Sequence, residues 1–137
     1  MHPSWSKINE KMTEWIPFEN AAYLVERAFL VAEDKTAAAL EQTVVTVYTG
    51  SSGKKQLNGT GMILNMHMVE LLENSEELDL LLDFGGEYKY LMKTPDIAAG
   101  KVFSPTVKSH LRFVPVEPWH PVSETEFEAL VKQLKLL

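Results

Sequence analysis

Cysteine is absent from this chain of 137 residues, which removes disulfides, thiolate nucleophiles and Cys-ligated zinc or iron–sulfur sites from consideration. Long apolar runs are missing too. No segment approaches the roughly 20 apolar residues of a spanning helix, so no membrane partner is expected. Met1 to Lys7 lacks a basic region followed by an apolar run of signal-peptide length, and a cytoplasmic protein is the expectation. Bases are scarce: 13 Lys and Arg stand against 19 Asp and Glu, a formal charge of −6. Such a chain has no general affinity for phosphate backbones or anionic membranes, and nucleic acid is not expected as a partner. Between Glu70 and Glu87 the imbalance is complete, with seven acids and no base. That stretch is either a solvated edge that discourages strand-to-strand aggregation or a docking surface for a basic protein segment.

Catalytic signatures are missing as well. No nucleophile elbow, HExxH helix or EF-hand loop occurs. Gly50-Ser-Ser-Gly-Lys-Lys55 has the composition of a phosphate loop, yet Lys55 stands where Ser or Thr is needed and Tyr48 where the first Gly belongs. Strand signals flank it on both sides, whereas a phosphate loop opens a helix, so it reads as a hairpin loop. His67, His110 and His120 show no metal-ligand spacing, and His110 lies between Lys108 and Arg112, which disfavours a bound cation. No metal or cofactor is expected, and the reading leans away from an enzyme.

What the chain does contain is two periodicities. From Trp5 to about Gln42 the repeat is helical, from Thr43 to Val116 it is mostly strand-like, and the last fifteen residues return to helix. Trp5, Ile8, Met12, Trp15 and Ile16 form one stripe that stops or kinks at Pro17. Phe18 to Ala32 is expected to be a second helix, apolar except for a narrow strip of Glu19, Glu26 and Glu33. So broad an apolar surface needs cover on more than one side, from its neighbours or from a second copy of the chain. A homodimer is expected on that ground. Glu33 to Thr36 breaks the helix, and Ala37 to Leu40 adds a further helical turn.

Thr43 to Thr49 is a β-branched strand ending at the turn residues Gly50 to Gly53. Met62, Leu64, Met66 and Met68 alternate with Ile63, Asn65, His67 and Val69, predicting a long strand that bends near Asn65. On such a strand His67 and Glu70 point to opposite faces. Val107, Ser109, Leu111 and Phe113 alternate with Lys108, His110 and Arg112, a half-buried strand with a cationic outer face. Arg112 to Pro121, which contains Trp119, is too proline-rich for a central strand and belongs at an edge. At the C-terminus Ser123 and Glu126 form a capping box, Val122 can staple onto Phe127, and Phe127, Leu130, Val131 and Leu134 make the buried stripe of a helix.

The stretch from Leu78 to Lys93 specifies its own pairing. Folded about Gly86, it sets Leu80, Leu82 and Phe84 opposite Met92, Tyr90 and Tyr88 on one face, and Asp79, Leu81 and Asp83 opposite Lys93, Leu91 and Lys89 on the other. A slip of one residue would place Glu87 and Lys89 on the apolar face, so burial fixes the register.

Together these features predict one α+β domain over residues 1–137: N-terminal helices, an antiparallel sheet or small barrel of five to seven strands, and a C-terminal amphipathic helix. Two functions are compatible with it. The first is a non-catalytic binding or adaptor module, chaperone-like, acting on another protein with a basic or apolar segment. The second is a small-molecule-binding domain or minor enzyme, with a pocket under the sheet lined by Met62, Met66, Tyr88 and Tyr90 and with His67 at its mouth. Candidate contact residues are Met62, Met66, His67, Tyr88, Tyr90, Lys108, His110, Arg112 and Trp119. A concave pocket with convergent polar groups favours the second reading; a flat apolar patch rimmed by acids favours the first.

Overall fold

One strand, Thr36–Thr49, organises the molecule, because its two halves belong to different parts of the sheet. The computed structural model describes residues 15–99 and 104–137. Its elements run β1 (Ala21–Leu24), β2 (Arg27–Val31), β3 (Thr36–Thr49), β4 (Lys55–Leu64), α1 (Asn65–Asn74), β5 (Asp79–Asp83), β6 (Lys89–Met92), β7 (Asp96–Ala99), β8 (Lys108–Val114), β9 (His120–Pro121), α2 (Glu124–Gln133) and β10 (Lys135–Leu136). Among the described residues the ten strands form one sheet curled into a half-barrel, in the order β7-β8-β4-β3-β2-β5-β6-β9, with β1 and β10 both added onto β3. Among the same residues no helix is long and apolar enough to cross a membrane.

This overturns the expected architecture of N-terminal helices with a sheet of five to seven strands. Phe18 to Ala32 holds β1 and β2, Ala37 to Leu40 lies in β3, and the two helices are ten residues each. The reason lies in burial on both faces. Leu30 of β2 packs into the interior of the half-barrel, while Phe29 and Val31 pack on the opposite face with Phe127. A strand covered on both sides is apolar at nearly every position, and such a run satisfies a helical period as well as an extended one. Of the apolar residues that suggested a homodimer, Ala28, Phe29, Val31 and Ala32 are buried within one chain, whereas Ala21, Ala22 and Leu24 are exposed. Of the first predicted stripe, Trp5, Ile8 and Met12 lie outside the described residues, whereas Ile16 is buried and Trp15 meets Trp119 edge-on at 5.2 Å.

The corner between the two halves of the sheet is a β-bulge. Against β4, the register of β3 shifts between Glu41 and Val44, and Gln42 takes a φ of 48°. The extra residue inverts the alternation of side chains. Ala38 and Leu40 are buried in the interior before it, and Val45 and Val47 after it. Across the sheet from there Gly59 stands opposite Phe113. A Cβ at Gly59 would lie 2.1 Å from the Phe113 ring, so the absent side chain is what lets that ring fill the interior.

The strand expected to run through Met68 ends instead at Leu64, and Asn65 opens α1. Buried Asn65 anchors this junction by donating its side-chain amide to the Ser104 carbonyl at 2.9 Å. Met68 and Leu71 then recur at helical spacing and enter the core. His67 and Glu70 are accordingly one helical turn apart rather than on opposite faces of a strand.

The hairpin β5–β6 takes the register read from its residues: Leu80 faces Met92, Leu82 faces Tyr90 and Asp83 faces Lys89. Gly85 and Gly86 carry the positive φ angles of its loop, at 103° and 57°, so Glu87 is spared the left-handed region. Lys93 pairs with Asp79 at 3.0 Å and Lys89 with Asp83 at 3.3 Å. The second pair is buried rather than solvated, because α2 lies over this face. That helix is capped as its sequence indicates, Ser123 Oγ accepting the Glu126 amide at 3.1 Å. Phe127 is fully buried, while Leu130, Val131 and Leu134 are half-buried. On β8, Leu111 and Phe113 point inward and Lys108, His110 and Arg112 outward, as the alternation predicts.

Candidate protein-binding groove

The nine candidate contact residues separate into distinct neighbourhoods. Met62, His67 and Lys108 share a shallow hollow of about 240 Å3, in which Lys108 is engaged with Glu41 at 2.6 Å. His110 stands beside them, opposite Met62, and Arg112 lies further along β8 opposite Thr60. Met66 is exposed on α1. Tyr88, Tyr90 and Trp119 belong to an aromatic cluster elsewhere, where Tyr90 stacks on Trp119 at 4.5 Å and Phe18 touches all three rings. Burial pushes the Tyr90 phenol above its ordinary pKa, with Tyr88 and Glu87 adding to the effect. Met62, Met66, His67, Tyr88 and Tyr90 therefore do not line one pocket. The space beneath the sheet is filled by Leu30, Leu80, Leu82, Met92, Leu111 and Phe113, all buried.

A second polar cluster is structural. Asp83 accepts from the Gly85 amide at 2.8 Å and from Arg27 Nε at 2.9 Å, and it pairs with Lys89. Arg27 also bridges to Glu128 of α2 and sits over the Phe127 ring, 5.1 Å from its centroid. Burial raises the pKa of the Asp83 carboxyl, but the Gly85 amide, Arg27 and Lys89 outweigh it and hold the group below the ordinary carboxylate range. Arg27 is raised, chiefly by its hydrogen bond to Glu128 and against the opposing effect of burial. With each charge satisfied inside the fold, this cluster fastens α2 to the sheet. Among the described residues no group of three His, Asp or Glu side chains is placed to hold a metal ion.

A groove of about 660 Å3 lies between α1 and β7. Its floor is apolar: Met68, Val69 and Leu72 of α1, Leu78, Ile97 of β7, and Val116. Leu72 and Val116 are each 54% exposed, so the floor is open to solvent. The rim is formed by Glu76, Glu77 and Asp96, and no Lys, Arg or His lines it among the described residues. Nor do Glu70, Glu73, Glu76, Glu77 and Asp96 enter any ion pair among the described residues. α1 has no basic residue in its last turn, so the negative end of its dipole adds to the field of Glu73, Glu76 and Glu77. Two anchors hold the walls. Ser75, buried after α1, takes the Glu33 amide at 3.2 Å, and Asp79 takes the Thr94 amide at 3.0 Å, fixing Thr94 at a φ of 43° ahead of Pro95.

The charge of this groove was visible in the sequence as the acidic run from Glu70 to Glu87, but its floor was not. Reading Met62 to Val69 as one strand assigned Met68 and Val69 to opposite faces. The signal that finds them is the helical spacing of Met68, Leu71, Leu72 and Ser75. No family model, curated protein or solved structure matches the chain.

Proposed function

We propose that this chain is a non-catalytic binding module whose groove between α1 and β7 receives a basic, amphipathic segment of another protein. The observation that carries the reading is a solvent-open apolar floor beneath a rim of acids that enter no ion pair among the described residues. Apolar side chains of a partner would bury Leu72, Ile97 and Val116. Lys or Arg residues alongside would meet Glu76, Glu77 and Asp96, speeding encounter and excluding acidic competitors. Nucleic acid, itself anionic, is repelled by the same field. The filled interior beneath the sheet weighs against the alternative of a small-molecule pocket there.

The test uses the full chain and two synthetic 14-residue helical peptides, one of Leu and Lys, the other of Leu and Glu in the same pattern. By calorimetry the Leu/Lys peptide should bind and the Leu/Glu peptide should not. Leu72→Asp and the double variant Glu76→Lys, Glu77→Lys should each weaken binding at least tenfold, about 1.4 kcal/mol. Equal binding of the Leu/Lys peptide to parent and both variants would mean that it binds elsewhere on the surface, and the groove reading would fall.

A further inference from the structure

Among the described residues strand β1 has one paired edge and one open edge, and the backbone shows which groups belong to each. The Val25 amide donates to the Thr43 carbonyl at 2.9 Å, in the register that sets Tyr23 opposite Val45 and Ala21 opposite Val47. Bonded and non-bonded pairs alternate along an antiparallel ladder, so the N–H and C=O groups of Ala22 and Leu24 aim away from β3. The far side of β3 agrees. There the Gly50 amide donates to the Lys54 carbonyl at 2.8 Å, which assigns the even-numbered residues of this half of β3 to β4 and the odd-numbered ones to β1. Among the described residues β1 pairs with β3 alone. Beside β2 the corresponding lane is filled by β5, but β5 ends at Asp83, opposite Arg27, and no described residue pairs along the lane beside β1.

That lane has a floor and a charge. Pro17, Phe18, Tyr23, Leu24, Phe84 and Tyr88 line a hollow of about 370 Å3, with Leu24 79% and Tyr88 50% exposed. Residues 17–26 and 84–88 carry Glu19, Glu26 and Glu87 and no cation. Lys55 reaches this segment from β4, its ammonium donating to the Phe18 carbonyl at 2.9 Å. Exposed edges are normally blunted by Lys, Pro or a bulge; the four residues of β1, Ala-Ala-Tyr-Leu, contain none of these.

We propose that the open edge of β1 is a strand-addition site for an extended segment of another protein, one carrying a large apolar side chain flanked by Lys or Arg. Its backbone would pair with Ala22 and Leu24, its apolar side chain would enter the hollow between Leu24 and Tyr88, and its cations would face Glu19, Glu26 and Glu87. A second copy of this chain is the poorer occupant, since two β1 edges paired together gather the acids of both copies around one ladder. The site is separate from the α1 groove and stands whether or not that groove binds anything.

The experiment is selection of a random heptapeptide library against the full chain, followed by titration of one selected, synthesised peptide into 15N-labelled protein. Peptides alternating apolar with Lys or Arg should emerge, and their binding should shift the Ala22 and Leu24 amides and slow their exchange at least tenfold. N-methylation of the peptide backbone at the residue facing Ala22 should weaken binding at least tenfold with the protein unaltered. Ala22→Pro should do the same, because that N–H is not part of the ladder to β3 and the strand survives its loss. The proposal is overturned if no peptide is selected, if the Ala22 and Leu24 amides do not respond, or if N-methylation leaves affinity unchanged.

Discussion

Gly59 is where a single hydrogen in place of a side chain decides how the interior fills. The Phe113 ring occupies the place a Cβ would take, and the ring is fully buried. Gly59→Ala must therefore displace packed core, and a loss of about 1–3 kcal/mol is expected in urea unfolding. Phe113→Leu in the same chain should recover part of it, since the two positions share one space. Asp83 acts through charge. Its carboxyl is held below the ordinary range in the folded chain, so its ionised form favours folding at neutral pH. That contribution is complete above the unfolded value of about 4 and is lost as the pH falls through the lower folded value. Asp83→Ala should cost about 3–5 kcal/mol at pH 7, because it strands buried Lys89, and should flatten the decline in stability below pH 4. Equal acid sensitivity in parent and variant would show that another carboxylate governs the decline.

Among the elements, α2 and the β5–β6 hairpin were legible in the sequence, and β2 was not. The helix announces both its start and its buried side: Ser123 and Glu126 mark the cap, and Phe127 recurs with Leu130, Val131 and Leu134. Phe127→Ala should destabilise the fold by about 3–5 kcal/mol and Ser123→Ala by about 1 kcal/mol, both measurable by thermal or urea unfolding. A negligible loss on truncating Phe127 would mean that α2 is not held by its apolar face. The hairpin was legible because opposite charges and opposite polarities leave it one workable register, seen in Asp79 with Lys93 and Leu82 with Tyr90. β2 offered no such contrast. Phe29, Leu30 and Val31 are buried in succession because two layers cover them, and which layers those are is decided by residues such as Leu80 and Phe127, remote in the chain. The bulge at Gln42 was equally hidden, for nothing in Glu-Gln-Thr demands a positive φ. Of the groove, the acids were legible as a run of like charge, while Ile97 and Val116 joined its floor only through the pairing of β7 with β8 and the path that follows it.

At the scale of the whole molecule, acid gathers around α1 and β7 while Lys108, His110 and Arg112 occupy the outer face of β8, so a net charge of −6 conceals an uneven surface. A basic segment of the kind proposed would be drawn to one side of the half-barrel before any contact forms, and added salt should slow that approach more than it speeds release. β3 has a different consequence, for the time the molecule takes to form. Its hairpin partners β2 and β4 are close in sequence, but finishing the sheet requires Arg27 to meet Asp83, Gly59 to meet Phe113, and Thr36 to meet Lys135. Each meeting closes a long loop whose entropy is lost before the pairing returns anything. Folding therefore belongs to the slow regime of β-rich domains, roughly milliseconds to seconds. Until those distant strands arrive, the outer edges of β2 and β4 lack their ladders, and a newly made chain is most exposed to aggregation along the two strands that later flank its centre.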